Sequence, residues 1–232
     1  MQFVGVDGCK GGWLAVSYDL NARELTPRRH GNFADVIQSY PDAVCIAVDI
    51  PIGLTTAPAR ACDLEARRAL TRLRGSSVFP APDPRIVNAS SYEEAAARSR
   101  TLNGKGISVQ AFRIFAKVAE VNGLMTPELQ ERIVEVHPEI CFWALANRRP
   151  LAHPKKTLAG FEERRALLNS ALDVRIPTRL EAQGWVPGAA ADDTMDAIAA
   201  AWSARRFAEG RAGRLPLDPE KDESGLRMEM VY

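Results

Sequence analysis

The 232-residue chain is short of several things. Its four cysteines, Cys9, Cys45, Cys62 and Cys141, show no CxxC or CxxH spacing, which argues against a structural zinc site and a disulfide framework. No apolar run approaches the roughly 18–20 residues of a bilayer span, and no basic stretch leads into an apolar signal core. The expectation is a cytoplasmic protein with no membrane partner. Charge of one sign is also missing: 30 Lys and Arg against 29 Asp and Glu leave a net +1. A globally basic polyanion binder is thereby excluded, and contact with nucleic acid must come from local patches. There is no internal repeat and no low-complexity segment.

What is present is an ordinary globular composition, 46% hydrophobic, with strand and helix patterns in a definite order. Phe3 to Asp7 and Trp13 to Tyr18 read as strands of a hairpin joined by Gly8–Gly12, and Glu24 to Arg29 as a weaker third strand. Phe33, Val36, Ile37 and Tyr40 fall at helical spacing. Ala43 to Ile50 is almost continuously apolar up to Asp49, the pattern of a buried strand. Residues 51–132 then carry helical patterns punctuated by proline: Ala59–Leu73, Tyr92–Leu102 and Val109–Val121. Ile133–His137 is strand-like, and Pro138–Leu145, Phe161–Leu172 and the Ala-rich Ala190–Ala208 are helical. Leu226–Val231 suggests a terminal strand. The expected fold is α/β, one domain over 1–232, with a mixed sheet flanked by helices and a helical insertion at about 51–132.

Acids fall where such a sheet would gather them. Asp7 ends the first strand and Asp49 the fourth; if those strands are parallel neighbours, both emerge at the carboxyl edge, where open α/β sheets bind ligands. Asp192, Asp193 and Asp196 open the last helix, and 193/196 or 192/196 share a face. Carboxylates brought together repel unless a cation offsets them, and Mg²⁺ or Mn²⁺ suits an oxygen-only set. Plainer roles compete: Asp193 as N-cap with Asp196 three residues on is a capping-box spacing, and Asp7 or Asp49 can close a turn. A carboxylate ending a wholly apolar strand is harder to explain structurally, because buried charge needs a partner. Glu135 alternates with Val134 and Val136 and so points away from them. It reads either as a further acid or base or as a solvent-facing edge residue.

Two local basic patches stand out. Residues 60–74 hold Arg60, Arg67, Arg68, Arg72 and Arg74 against Asp63 and Glu65, and 148–165 hold six cations against Glu162 and Glu163. Beside a metal site such clusters suit phosphate, although charged runs are commonly solvated helix faces. The Gly8–Gly12 turn fits neither a dinucleotide nor a P-loop pattern. Lys10 in that turn, Arg60, Arg67 and His137 are candidate substrate contacts. Ser108, Gln110 and Ser76–Pro80 are candidates for lining a cleft.

The strings Gly5-Val6-Asp7-Gly8-Cys9-Lys10-Gly11-Gly12-Trp13, Asp49-Ile50-Pro51-Ile52-Gly53-Leu54, Glu135-Val136-His137-Pro138-Glu139 and Asp193-Thr194-Met195-Asp196-Ala197-Ile198-Ala199 together resemble a family of predicted ribonuclease H-like nucleases. The last string also resembles the final-helix motif of RuvC-type Holliday-junction resolvases. The resemblance implies a sheet in the order 3-2-1-4-5 and Asp7, Asp49, Asp193 and Asp196 as divalent-metal ligands. Lys156 resembles the lysine that follows the fifth strand in the resolvases, which are homodimers. A helical wheel instead places Asp192 and Asp196 nearer the core stripe of Met195, Ile198 and Trp202, so Asp192 stays as an alternative to Asp193. The implied activity is metal-dependent hydrolysis of DNA or RNA. The alternatives are a non-catalytic domain binding nucleic acid or a small phosphorylated ligand, and a phosphotransferase akin to sugar kinases and actin. The last needs a second domain that 232 residues do not supply.

Overall fold

Two glycines set the first feature of the fold. In the computed structural model, which describes residues 1–232, β1 (Gln2–Cys9) and β2 (Gly12–Asp19) form an antiparallel hairpin in which Cys9 pairs with Gly12. Gly11, at φ 73°, takes the left-handed conformation that a two-residue turn requires. Arg29 Nη2 donates to the Lys10 and Gly11 carbonyls at 2.9 and 3.0 Å and fixes the turn. β3 (Glu24–His30) pairs antiparallel with β2. α1 (Phe33–Ser39), capped by the Asn32 side chain, returns the chain to β4 (Cys45–Val48), which lies parallel to β1. β5 (Ile133–Glu135) adds parallel to β4, giving the order β3-β2-β1-β4-β5.

Strand alternation divides this sheet between two cores. Phe3, Cys45, Ala47, Val134 and Val136 face one side; Val4, Val6, Ile46, Val48 and Ile133 face the other. The second core is closed by α1 and α6 (Phe115–Leu124) through Phe33, Val36, Val118 and Val121. The first is closed by α7 (Pro138–Leu145), α8 (Leu158–Ala171), α9 (Arg179–Gly184) and α10 (Ala191–Ala208). α10 lies directly on β1: a Cβ on Gly5 would stand 1.9 Å from the Ala197 carbonyl oxygen. The small buried side chains Ala197, Ala200, Ala201 and Ala204 permit the same closeness from the helix side. No helix is long and apolar enough to cross a membrane.

Between β4 and β5 the chain builds α2 (Ala61–Ala69), α3 (Thr71–Arg74), α4 (Tyr92–Asn103), α5 (Val109–Phe112) and α6. The helix expected over 59–73 is therefore two, because Thr71 adopts φ 57° and breaks it. The one expected over 109–121 also divides, and the break lets Phe112 pack on Tyr92 and Phe115, with ring centroids 6.0 and 5.4 Å away. α8 starts three residues before Phe161, where Thr157 caps the Gly160 N–H at 3.0 Å. The terminal strand shrinks to β7 (Met230–Val231), which pairs with β6 (Arg214–Leu215). Upstream, Arg227 forms only an isolated antiparallel bridge with Lys221, and its own N–H and carbonyl are taken by the Gln130 side chain at 2.7 Å each. A small core of Cys62, Ala66, Leu70, Ile140, Met230 and Tyr232 ties α2 to α7 and the C-terminal tail.

Candidate functional site

The β1–β4 register pairs Val6 with Val48, and the next residue on each strand is an aspartate. Asp7 and Asp49 thus emerge side by side at the carboxyl ends of parallel neighbours, on the face that α10 covers. Asp196, 2% exposed, approaches them from the second turn of α10. Burial raises the Asp7 carboxyl well above its ordinary range, and the charges of Asp49, Asp196 and Asp193 add to this. Burial pushes Asp49 up to about 6, with His137 pulling down and Asp196 pushing further up. Burial also raises Asp196, against the pull of Lys155. Each acid makes its neighbours harder to ionise, the electrostatic mark of a functional carboxylate group.

The polar partners are uneven. Asp7 Oδ1 accepts the Gly8 N–H at 2.7 Å. Asp196 Oδ2 accepts Lys155 Nζ at 2.6 Å, whereas Asp196 Oδ1 is buried with no hydrogen-bond partner in the chain. Asp196 holds the Lys155 ammonium above its usual pKa, in spite of burial, and Asp192 lies 3.7 Å from the same nitrogen. The start of α10 separates the remaining acids. The helix begins after Ala190, so Asp193 is its third residue and accepts the Ala190 N–H at 2.9 Å. Capping therefore belongs to Asp193, three positions later in the helix than the N-cap place the spacing suggested. Asp196 is beyond the helix's free N–H groups and has no capping role.

Arg60 sits elsewhere than the sequence reading placed it, and Glu135, although it lines the same cleft as Asp49 and Asp196, is held in the Arg60 network. Glu135 shares the Ile133 face of β5, opposite to the face of Asp7 and Asp49, and is 2% exposed, not solvated. Arg60, 1% exposed, donates to both Glu135 oxygens at 2.7 Å, to Asp63 at 2.6 and 3.2 Å, and to the Ile52 and Gly53 carbonyls. Burial works to lower the Arg60 pKa, and Glu135 and Asp63 more than offset it. With every N–H directed inward, Arg60 has none for a substrate. Ligand atoms of Cys62, Asp63 and Glu135 lie within 4.8 Å of one another, tighter than the Asp7–Asp49–Asp196 set. The Arg60 guanidinium already supplies that cluster's cation.

A cleft of about 550 Å³ opens over Asp49 and Asp196, with Asp7 behind them and not in its lining. Asp49 and Asp196 form its floor; His137, Lys155 and Lys156 form one wall, and Arg74, Ser76, Ser77 and Phe79 of the insertion form the other. His137 Nε2 lies 3.4 Å from the Ser77 carbonyl, and its Nδ1 is buried without a partner. Of the proposed contacts, His137 and Lys156 line this cleft, Arg67 lines an adjoining groove, and Lys10 is exposed on the hairpin turn outside both. Ser108 caps the Ala111 N–H at 3.1 Å and does not line the cleft. Sequence reasoning missed Lys155, whose spacing gives it no mark over Lys156, and Glu139, buried in an ion pair with Arg164.

Fold and site together define a mixed α/β protein that gathers mutually repelling, buried carboxylates at the carboxyl edge of its parallel strands. The chain belongs to the family described as Protein of unknown function (DUF429), whose family model matches residues 5–221. No curated protein and no solved structure matches it.

Proposed function

We propose that this protein is a phosphodiester hydrolase of the ribonuclease H-like kind, acting on nucleic acid with Mg²⁺ or Mn²⁺ held by Asp7, Asp49 and Asp196. The observation that carries the reading is Asp196: a buried carboxylate with one oxygen unpartnered, whose charge disfavours ionisation of Asp7 and Asp49 beside it. Lys155 offsets the charge at one Asp196 oxygen, and the other, buried beside Asp7 and Asp49, is costly unless a second cation completes it. The donor set is all oxygen, which suits a hard divalent ion that keeps several of its waters. When bound, that ion offsets phosphoryl charge and lowers the pKa of a water.

The chain's own groups account for the rest. Lys155, Lys156 and Arg74 present cations to a phosphate in the cleft. His137 Nδ1, free of other partners and close to Asp49, can hold or release a proton there. Hydrolysis adds water oxygen to phosphorus, breaks one ester P–O bond and leaves the proton on the departing oxygen. Asp193 secures the start of α10 and thereby the position of Asp196.

Calorimetric titration with Mn²⁺ and Mg²⁺, together with hydrolysis of labelled DNA and RNA, tests this on wild type and Asp7→Asn. Loss of metal binding and a drop in hydrolysis of about a hundredfold or more are expected, since even groups behind metal ligands are worth about 10–100-fold. Unchanged binding and hydrolysis in Asp7→Asn would remove the assignment. The cleft's size, within the range of small-ligand pockets, favours one second reading: a non-catalytic site for a phosphorylated small molecule. Nucleotide binding without turnover under any divalent ion would select it.

A further inference from the structure

The cleft does not stop at the acids. Through Ser76 and Phe79 it runs into a shallow groove along α2 and α3 edged by Arg67, Arg68 and Arg72. Through Lys155 and Lys156 it runs the other way, into a depression where α8 and α9 meet the start of α10, edged by Arg179 and Gln183. Three depressions therefore form one track with the carboxylates in the middle. Arg68, Arg72, Lys156 and Arg179 are exposed and form no ion pair, in contrast to the buried Arg60 and Arg164, which are paired with carboxylates. Phe79, 40% exposed, stands at the junction of the cleft and the first arm.

From this arrangement we infer that the site takes a single-stranded polynucleotide, laid across the acids with its backbone on both basic arms and a base against Phe79. Cations without carboxylate partners along a groove, interrupted by an exposed aromatic ring, are what a single strand needs, whatever its sequence. A central cleft of about 550 Å³, flanked by two narrow arms, suits a strand that enters it and not a duplex that must lie across its rim. A mononucleotide would use the centre and leave both arms idle. Cleavage of the strand rests on the phosphodiesterase reading; its binding does not.

The test is fluorescence anisotropy of a labelled oligothymidylate of about twelve nucleotides, in EDTA so that neither metal nor turnover enters. The single strand is expected to bind at least about tenfold more tightly than its duplex with oligodeoxyadenylate, and thymidine monophosphate is not expected to displace it at equal nucleotide concentration. Arg68→Ala/Arg72→Ala and Lys156→Ala/Arg179→Ala should each lower the slope of log K against log salt by about 1.4, roughly 0.7 per cation on a single strand. Phe79→Ala should weaken binding about tenfold without changing the slope, and Phe79→Trp should restore it. Equal affinity for the duplex, displacement by the mononucleotide, or an unchanged slope on removing either arm would overturn the track. Tight single-strand binding with no hydrolysis under Mg²⁺ or Mn²⁺ would leave the track standing and remove the phosphodiesterase reading. Hydrolysis that survives loss of both arms would do the reverse.

Discussion

Asp49 is the acid whose titration is most open to measurement. Its carboxyl ionises near pH 6 in the folded chain against an ordinary 3.8, chiefly because of burial. The folded state thus binds the proton more tightly than the unfolded state, and the stability it confers is present below about pH 4 and lost as pH rises through about 6. About 1–3 kcal/mol is at stake. Asp49→Asn should therefore raise the melting temperature of the metal-free protein at pH 7.5 and leave it nearly unchanged at pH 4.5, measured by thermal unfolding in EDTA. A variant that melts lower than wild type at pH 7.5 would mean that the Asp49 charge is compensated within the chain. The positions of Asp7 and Asp49 were legible because each ends an apolar run. Glu135 was legible in part: the alternation that points it away from Val134 and Val136 also points it away from the face those residues share with α10. What covers that other face was not.

At the scale of the element, α10 against β1 decides the geometry of the site. The apolar stripe of Met195, Ile198 and Trp202 describes a helix with one buried face, yet Thr194 through Ala204 are all buried, because the sheet lies on one side and α7 to α9 on the others. A stripe argument on such a helix placed Asp196 near the core, as it is, but could not distinguish it from Asp192. Gly5 controls the separation. Gly5→Ala would press a methyl group into the Ala197 carbonyl, push α10 outward and carry Asp196 with it. The expected cost is about 1–3 kcal/mol or more from overpacking, read by denaturant unfolding, with weakened Mn²⁺ binding in the protein that remains folded. Unchanged stability would show that the helix yields without consequence.

For the molecule as a whole, the question is what holds the 51–132 insertion as one wall of the cleft. Arg60 bridges α2 to β5 through Glu135 across 75 residues of sequence, while the backbone of Ile52 donates to the same carboxylate at 2.7 Å. Removing one partner of a buried ion pair is far worse than never having had it, since the other charges stay buried. Arg60→Met should cost about 3–5 kcal/mol in chemical denaturation and expose the insertion to limited proteolysis. Arg60→Met with Glu135→Gln and Asp63→Asn should recover part of that loss, because no net charge is then left buried. Equal losses in the single and triple variants would mean that packing, and not charge, holds the wall.

The sequence by itself determined the local features: the glycine-closed hairpin, the apolar strand that ends in Asp49, the alanine-rich helix that carries Asp196, and hence a carboxyl edge with acids on it. Each is set by near neighbours in the chain, through turn conformation, strand alternation and helix propensity. Only the tertiary structure decided that Lys155 and not Lys156 meets Asp196, and that Arg60 closes a buried network in place of touching a substrate. Those outcomes depend on which of several similar side chains the packing of distant elements brings within hydrogen-bond reach. The Lys155–Asp196 and Arg60–Glu135 partners lie 41 and 75 residues apart, a separation at which nothing local distinguishes a lysine from its neighbour.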